Sequence, residues 1–175
     1  MKDIQKGFSL IEVIITMVIL GILFPGVVYI SSNALDQYRS LSVENKLASK
    51  SRFAIRKLSE HLNRSKKFLS ADNKEIRFQA DGEVIAYEIS GGKLHLRIDS
   101  NPSSVLVDGV DETLIGGQSR SRFIYYTSMT EPLAPEAVPV DIVELVNIVC
   151  VKLVFTLILG EVSRNYSMLI HPDEL

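Results

Sequence analysis

Hydrophobic and polar positions obey different rules in successive parts of this chain. From Phe8 to Ile30 the run is almost unbroken apolar, and Glu12 is its only charged side chain. From Ser31 the period becomes helical: Leu47, Ser51, Ala54, Ile55, Leu58, Leu62 and Leu69 share one stripe, and Lys46, Lys50, Arg52, Lys57, Glu60, Asn63 and Lys67 lie opposite. This predicts one long helix from about Phe8 to about Leu69, ended by Asp72-Asn73.

Beyond that point the period drops to two. Glu75-Ile76-Arg77-Phe78-Gln79 alternates, Asp81-Gly82 is a two-residue hairpin signal, and Val84–Ile89 returns. Gly91-Gly92 turns the chain into Lys93–Arg97, giving a three-stranded antiparallel meander with Ile76, Phe78, Leu94 and Leu96 facing the helix. Val105-Leu106-Val107 and Phe123-Ile124-Tyr125-Tyr126 read as further strands on either side of the Gly- and acid-rich Asp108–Gln118. Pro132, Pro135 and Pro139 mark Met129–Pro139 as an irregular loop. The apolar length of Ile142–Leu159 invites a second membrane span, but Glu144 and Lys152 interrupt it. It is rich in β-branched residues, and from Ile148 its order has period two, with Val149, Val151, Leu153, Phe155, Leu157 and Leu159 making one wholly apolar face, so it is predicted to be a long strand, central in its sheet. Gly160-Glu161 leads to a closing strand, Arg164–Ile170, with Tyr166, Met168 and Ile170 on one face.

As a helix, Phe8–Ile30 would reach roughly 35 Å, enough to cross the roughly 30 Å of a bilayer core with some tilt. Lys2 and Lys6 precede it, which favours a cytoplasmic N-terminus and a C-terminal domain on the far side. A lone carboxylate at the end of such a helix is costly unless something pairs with it. An ordinary secretory reading, with cleavage near Ser32-Asn33-Ala34 and a mature start at Leu35, gives an h-region that is too long and leaves Glu12 without a purpose.

Lys6-Gly7-Phe8-Ser9-Leu10-Ile11-Glu12-Val13, heading an apolar run that contains Gly21, resembles the N-terminus of type IV pilins and type II secretion pseudopilins. The resemblance implies cleavage by a prepilin peptidase between Gly7 and Phe8, N-methylation of Phe8, and a role for Glu12 in assembly. The new amine of Phe8 and the Glu12 carboxylate are each costly alone in apolar surroundings. The family's arrangement pairs them between neighbouring subunits. Implied partners are the peptidase, other pilin or pseudopilin subunits, the inner-membrane assembly platform and the membrane itself. The location implied is the inner membrane as a single-pass protein, and then the filament. The later elements are similar in order to PilW-type minor pilins and J-type pseudopilins. Pro25 departs from the family, which places its membrane proline four positions later. The fold class expected is α+β and pilin-like, with a long N-terminal helix packed on an antiparallel sheet. The division expected is a leader at 1–7, a membrane and assembly helix at 8–30, its amphipathic continuation at 31–70, and a globular domain at 71–175 with an irregular loop near 127–145.

Composition narrows the rest. The chain has 175 residues, 46% of them apolar, and a net charge of −2, which becomes −3 when Met1–Gly7 and its net +1 are removed. That is enough for one modest core, and the bulk charge does not point to a nucleic-acid binder. The basic residues Lys46, Lys50, Arg52, Arg56, Lys57, Arg64, Lys66 and Lys67 suit a solvated helix face, with anionic headgroups or DNA as the functional alternative. His61, His95 and His171 have no metal-ligand spacing, and the single Cys150 falls within a strand as an inert thiol. Asp108, Asp111 and Glu112 match no EF-hand loop. No phosphate loop or nucleophile elbow is present, so the chain is read as a structural subunit with no catalytic residue, cofactor or metal. The competing reading is a membrane-anchored or secreted β-rich domain that binds a ligand or catalyses a reaction.

Overall fold

The computed structural model describes residues 9–127 and 145–172. The expected leader with its Gly7–Phe8 boundary and the proline-rich loop at Met129–Pro139 lie outside the described residues. The chain divides between Ser42 and Val43 into two units, with helix α1 (Leu10–Leu62) contributing to both. The fold is α+β, consistent with a pilin-like fold: one long N-terminal helix followed by antiparallel sheets.

In the second unit the helix buries Leu47, Ser51, Ala54, Leu58 and Leu62, spaced at three or four residues as one face of a helix requires. The Ser51 hydroxyl donates to the Ala48 carbonyl at 2.9 Å, so its burial leaves no polar group unmatched. Against this face lies a five-stranded meander in sequence order: β1 (Ser65–Ala71), β2 (Glu75–Ala80), β3 (Glu83–Ser90), β4 (Lys93–Ile98) and β5 (Ser104–Asp108). The expected inward residues Ile76, Phe78, Leu94 and Leu96 are all buried. The hairpins at Asp81-Gly82 and Gly91-Gly92 place both turn residues at positive φ, the geometry that lets a two-residue turn follow the strand twist.

One boundary corrects the sequence reading. The helix stops at Leu62 instead of continuing to about Leu69, and Ser65–Ala71 is a strand. Asp72-Asn73 therefore lies in the turn between β1 and β2 and does not end the helix. The cause of the misreading is physical. β1 shifts register between Ser65 and Lys67 and again between Phe68 and Ser70, so its buried residues Ser65, Phe68 and Ala71 fall three apart. A twice-bulged strand thus imitates helical spacing.

The remaining strands form a second sheet of β8 (Arg122–Tyr126), β9 (Cys150–Leu159) and β10 (Val162–Ile170), with β9 in the centre as expected. Val151, Leu153, Phe155 and Leu157 of β9 are buried together with Phe123 and Tyr125 of β8. A short hairpin, β6 (Leu114–Ile115) and β7 (Gln118–Ser119), stands apart and was not anticipated. The two larger sheets are sewn together by backbone. Phe123 N–H donates to the Asn73 carbonyl (2.8 Å), Val110 N–H to Gly92 (2.9 Å), Ile158 N–H to Gly109 (2.7 Å) and Asp111 N–H to Thr156 (2.8 Å). The buried Tyr125 hydroxyl donates to the Asp72 carbonyl at 2.6 Å, and burial pushes its pKa well above the ordinary range.

Candidate functional site

In the first unit every residue from Ser9 to Leu41 is exposed, although Leu10–Ile30 is overwhelmingly apolar. No residue of this stretch is buried within its own unit, so the helix presents an apolar surface suited to lipid or to other apolar helices. Among the described residues α1 is a helix long and apolar enough to cross a membrane. The helix assignment passes through Pro25 without a break. In the membrane segment Thr16 donates its hydroxyl to the Val13 carbonyl at 2.8 Å, which keeps a polar side chain satisfied within its own helix.

Ser9 begins the helix. Its carbonyl accepts from Glu12 N–H at 3.0 Å and Val13 N–H at 3.3 Å, and Leu10 is the first helical residue. Glu12 is therefore the third residue of the helix, and Ser9-Leu10-Ile11-Glu12 has the spacing of a capping box. A carboxylate in the first turn faces the positive end of the helix dipole, worth about 0.3–1 kcal/mol at an exposed position. That is a local reason for an acid here which the sequence reading overlooked, and the Ser-x-x-Glu signature was the signal that could have shown it. It is smaller than the cost of a carboxylate in hydrocarbon, about 2.5–3.5 kcal/mol at mid-membrane on insertion scales, so capping does not by itself explain Glu12. Gly7 and Phe8, the expected processing residues, lie outside the described residues.

A family model described as the prokaryotic N-terminal methylation motif matches residues 2–24. The match supports a type IV pilin-like protein and a precursor processed as a prepilin. No curated protein and no solved structure matches the chain. The matched stretch ends one residue before Pro25 and so includes Gly7, Phe8 and Glu12 but not the displaced proline. With the apolar helix it supports a single-pass, membrane-anchored structural subunit, for which the prepilin peptidase and other pilins are the implied partners.

The other chemical candidates are dispersed. His61 Nδ1 and the Tyr87 hydroxyl share a hydrogen bond at 2.8 Å between the last turn of α1 and β3, and burial, followed by the charge of Lys57, lowers the His61 pKa. The same burial raises the Tyr87 pKa. His95 lies on β4 with a buried Nδ1 that has no hydrogen-bond partner. Cys150 is buried at the start of β9, where burial raises the thiol's pKa and makes the thiolate scarcer. The acids Asp108, Asp111 and Glu112, whose spacing matches no EF-hand loop, go to separate partners. Asp108 takes Lys50, Glu112 takes Lys74 (2.8 Å) and the Gly92 N–H (2.6 Å), and Asp111 takes Thr113 and Arg120. Among the described residues no group of three or more potential metal ligands forms.

Part of the basic series is engaged in the same way. Lys50 meets Asp108, Lys57 and Arg64 meet Glu60 at 3.6 and 3.3 Å, and Arg64 also reaches Asp81 at 3.7 Å. Lys66 and Lys67 belong to β1 and not to a continuous helical face. These pairings favour the solvated-surface reading over a polyanion track.

Proposed function

We propose that the chain is a minor pilin or a pseudopilin. It is stored in the inner membrane with its N-terminus in the cytoplasm and its C-terminal domain on the opposite side. Prepilin peptidase cuts after Gly7, Phe8 is N-methylated, and the mature subunit enters a type IV pilus or a type II secretion pseudopilus through its N-terminal helix and the assembly platform. In domain terms, 1–7 is leader, 8–30 anchors and assembles, and the residues from 31 onward carry the exported part. The observation that supports this reading is the methylation motif at residues 2–24 running directly into an apolar helix whose described residues from Ser9 to Leu41 are all exposed.

Glu12 is assigned the part of partner to a neighbouring subunit's Phe8 amine. Before assembly each charge is unmatched in a poorly solvating layer, and docking satisfies both. Removing one member of such a buried pair costs about 3–5 kcal/mol, or roughly two to four orders of magnitude in an association constant.

Two measurements test the proposal. Mass spectrometry of the protein from cells containing the peptidase should find a mature N-terminus at N-methylated Phe8. A start at Met1 or Leu35 would sink the reading and favour an anchored or secreted binding domain. Glu12→Ala should be cleaved normally yet fail to enter filaments, and undiminished incorporation would remove Glu12 from its assigned role.

A further inference from the structure

The outer face of the β8–β9–β10 sheet and the β6–β7 hairpin border a groove of about 720 Å³. Arg120, Lys152, Val154 and Asn165 line it, and Ile115 forms part of its rim. Arg122 pairs across the strands with Val154 and so stands on the same face, its guanidinium donating to the Ser119 carbonyl at 2.7 Å. Arg120 is matched by Asp111 at 3.0 Å, whereas Lys152 and Arg122 have no carboxylate partner among the described residues. Arg164, which also lines the groove, is matched by Glu44, so among the described residues Lys152 is the lining cation without a carboxylate partner, with Arg122 beside it.

Its apolar rim is held in place with unusual care for a surface loop. Leu114 and Ile115 are 67% and 59% exposed, next to a Gly116-Gly117 turn in which both residues have positive φ. The root of the hairpin is clamped by Asp111, which is only 7% exposed. Its carboxylate accepts from the Thr113 N–H (3.0 Å), the Thr113 hydroxyl and the Arg120 guanidinium. The Ser121 hydroxyl donates to the Asp111 carbonyl at 2.6 Å and accepts from Thr156 N–H at 3.1 Å, which ties the root to β9. Ile115 is therefore presented at the groove from a braced support, beside cations that have no carboxylate partner among the described residues.

We propose that this groove binds an extended acidic segment of a partner protein that also carries apolar side chains. A carboxylate would face Lys152, a second would reach Arg122 beside the groove on the same sheet face, and an apolar residue would pack on Ile115. Charge complementarity selects the acidic partner, and the apolar rim selects a peptide over a nucleic acid. A nucleic-acid strand would need a longer run of unmatched cations for its phosphates and free aromatic faces for its bases, whereas the aromatic residue of the lining, Tyr166, packs on Phe155 with ring centroids 5.7 Å apart. The groove belongs wholly to the exported part and stands independently of the cleavage and assembly reading.

The test measures fluorescence anisotropy of a labelled peptide of alternating glutamate and valine against the full chain in detergent micelles, with empty micelles as baseline. Binding is expected, with Lys152→Gln and Arg122→Gln each weakening it about fivefold, the scale of one exposed ion pair. Replacing Ile115 by serine should weaken the glutamate–valine peptide but not a glutamate–serine one. Lys67→Gln, on β1 of the other sheet, should change nothing, and unfolding midpoints should show each variant folded. Absence of binding, equal binding of a lysine–valine peptide, insensitivity to Lys152→Gln, or tighter binding of an oligothymidylate would each overturn the proposal.

Discussion

Gly109 should be the least replaceable of the described glycines from Val43 onward. It sits at φ +78°, and a Cβ built there would stand 2.5 Å from the Ile158 carbonyl oxygen, a backbone atom that cannot swing aside. The same residue accepts the Ile158 N–H at 2.7 Å, and its neighbour Val110 forms the bridge to Leu157 that extends the β8 edge of β9. Gly109→Ala therefore costs about 1–2 kcal/mol for a left-handed non-glycine residue. Relieving the overlap then loosens the Ile158–Gly109 and Asp111–Thr156 bonds, about 1 kcal/mol each. The sum of about 3–4 kcal/mol is a large share of a typical 5–15 kcal/mol of stability. Gly82 supplies the control, because its φ of +89° carries the same conformational penalty while nothing lies within 4 Å of its would-be Cβ. At about 3 °C per kcal/mol for a chain of this size, Gly109→Ala should lower the unfolding midpoint by about 10 °C and Gly82→Ala by about 5 °C. Thermal unfolding of the full chain in detergent, followed by far-ultraviolet circular dichroism, makes the comparison. Equal shifts for the two variants would mean that the Gly109 seam does not hold the sheets together.

The remaining predictions address processing, pH and the hairpin support. Gly7→Val should leave unprocessed precursor in the membrane, visible as a species heavier by the leader; normal cleavage would contradict the proposed boundary. His61 has a pKa lowered from its ordinary 6.5, so the folded state takes up its proton later than the unfolded chain does. Its neutral form costs nothing above that value, and stability should fall as pH drops through 6.5 toward the folded pKa. His61→Gln should flatten that part of a stability-against-pH curve while leaving the further loss at lower pH, where Asp108, Asp111 and Glu112, all with lowered pKa values, are protonated. An unchanged slope between pH 6.5 and the carboxylate range would refute the assignment. Asp111→Asn should loosen the β6–β7 hairpin by about 1–2 kcal/mol and speed tryptic cleavage at Arg120, with an unchanged cleavage rate as the opposing result.

What was legible in the sequence follows from how local the determining physics is. The meander could be read because its turns are two-residue glycine signals and its strands alternate strictly. The strand β9 could be told from a membrane span because it is rich in β-branched residues and has one wholly apolar face at period two, and its burial agrees at Val151, Leu153, Phe155 and Leu157. Most of the helix stripe was right, but its continuation to Leu69 was not, since bulges are set by register with a neighbouring strand and leave no mark in a single segment. The β6–β7 hairpin was missed because its signal, Gly116-Gly117, is flanked by only two residues of strand on each side. Asp111 read as one more solvated loop acid. Its importance comes from Thr113, Arg120 and Ser121 converging on it, a property of the folded loop and not of its composition.

The two units place their apolar surface under different authorities, and this separates stability from assembly. From Val43 onward the chain buries its own helix face against its own sheets, so folding is decided internally by residues such as Leu58, Phe78 and Gly109. From Ser9 to Leu41 no side chain is buried, and the only acid of the apolar run occupies the first helical turn. That surface acquires its environment from outside, first from lipid and, on the proposed function, then from neighbouring helices. A substitution at Glu12 should accordingly leave the unfolding midpoint of the second unit untouched while changing what the helix associates with. A substitution at Gly109 should do the reverse until the fold itself fails. Finding that Glu12→Ala lowers the midpoint as Gly109→Ala does would show that the two units share one cooperative transition, and the division of labour argued from their burial would be wrong.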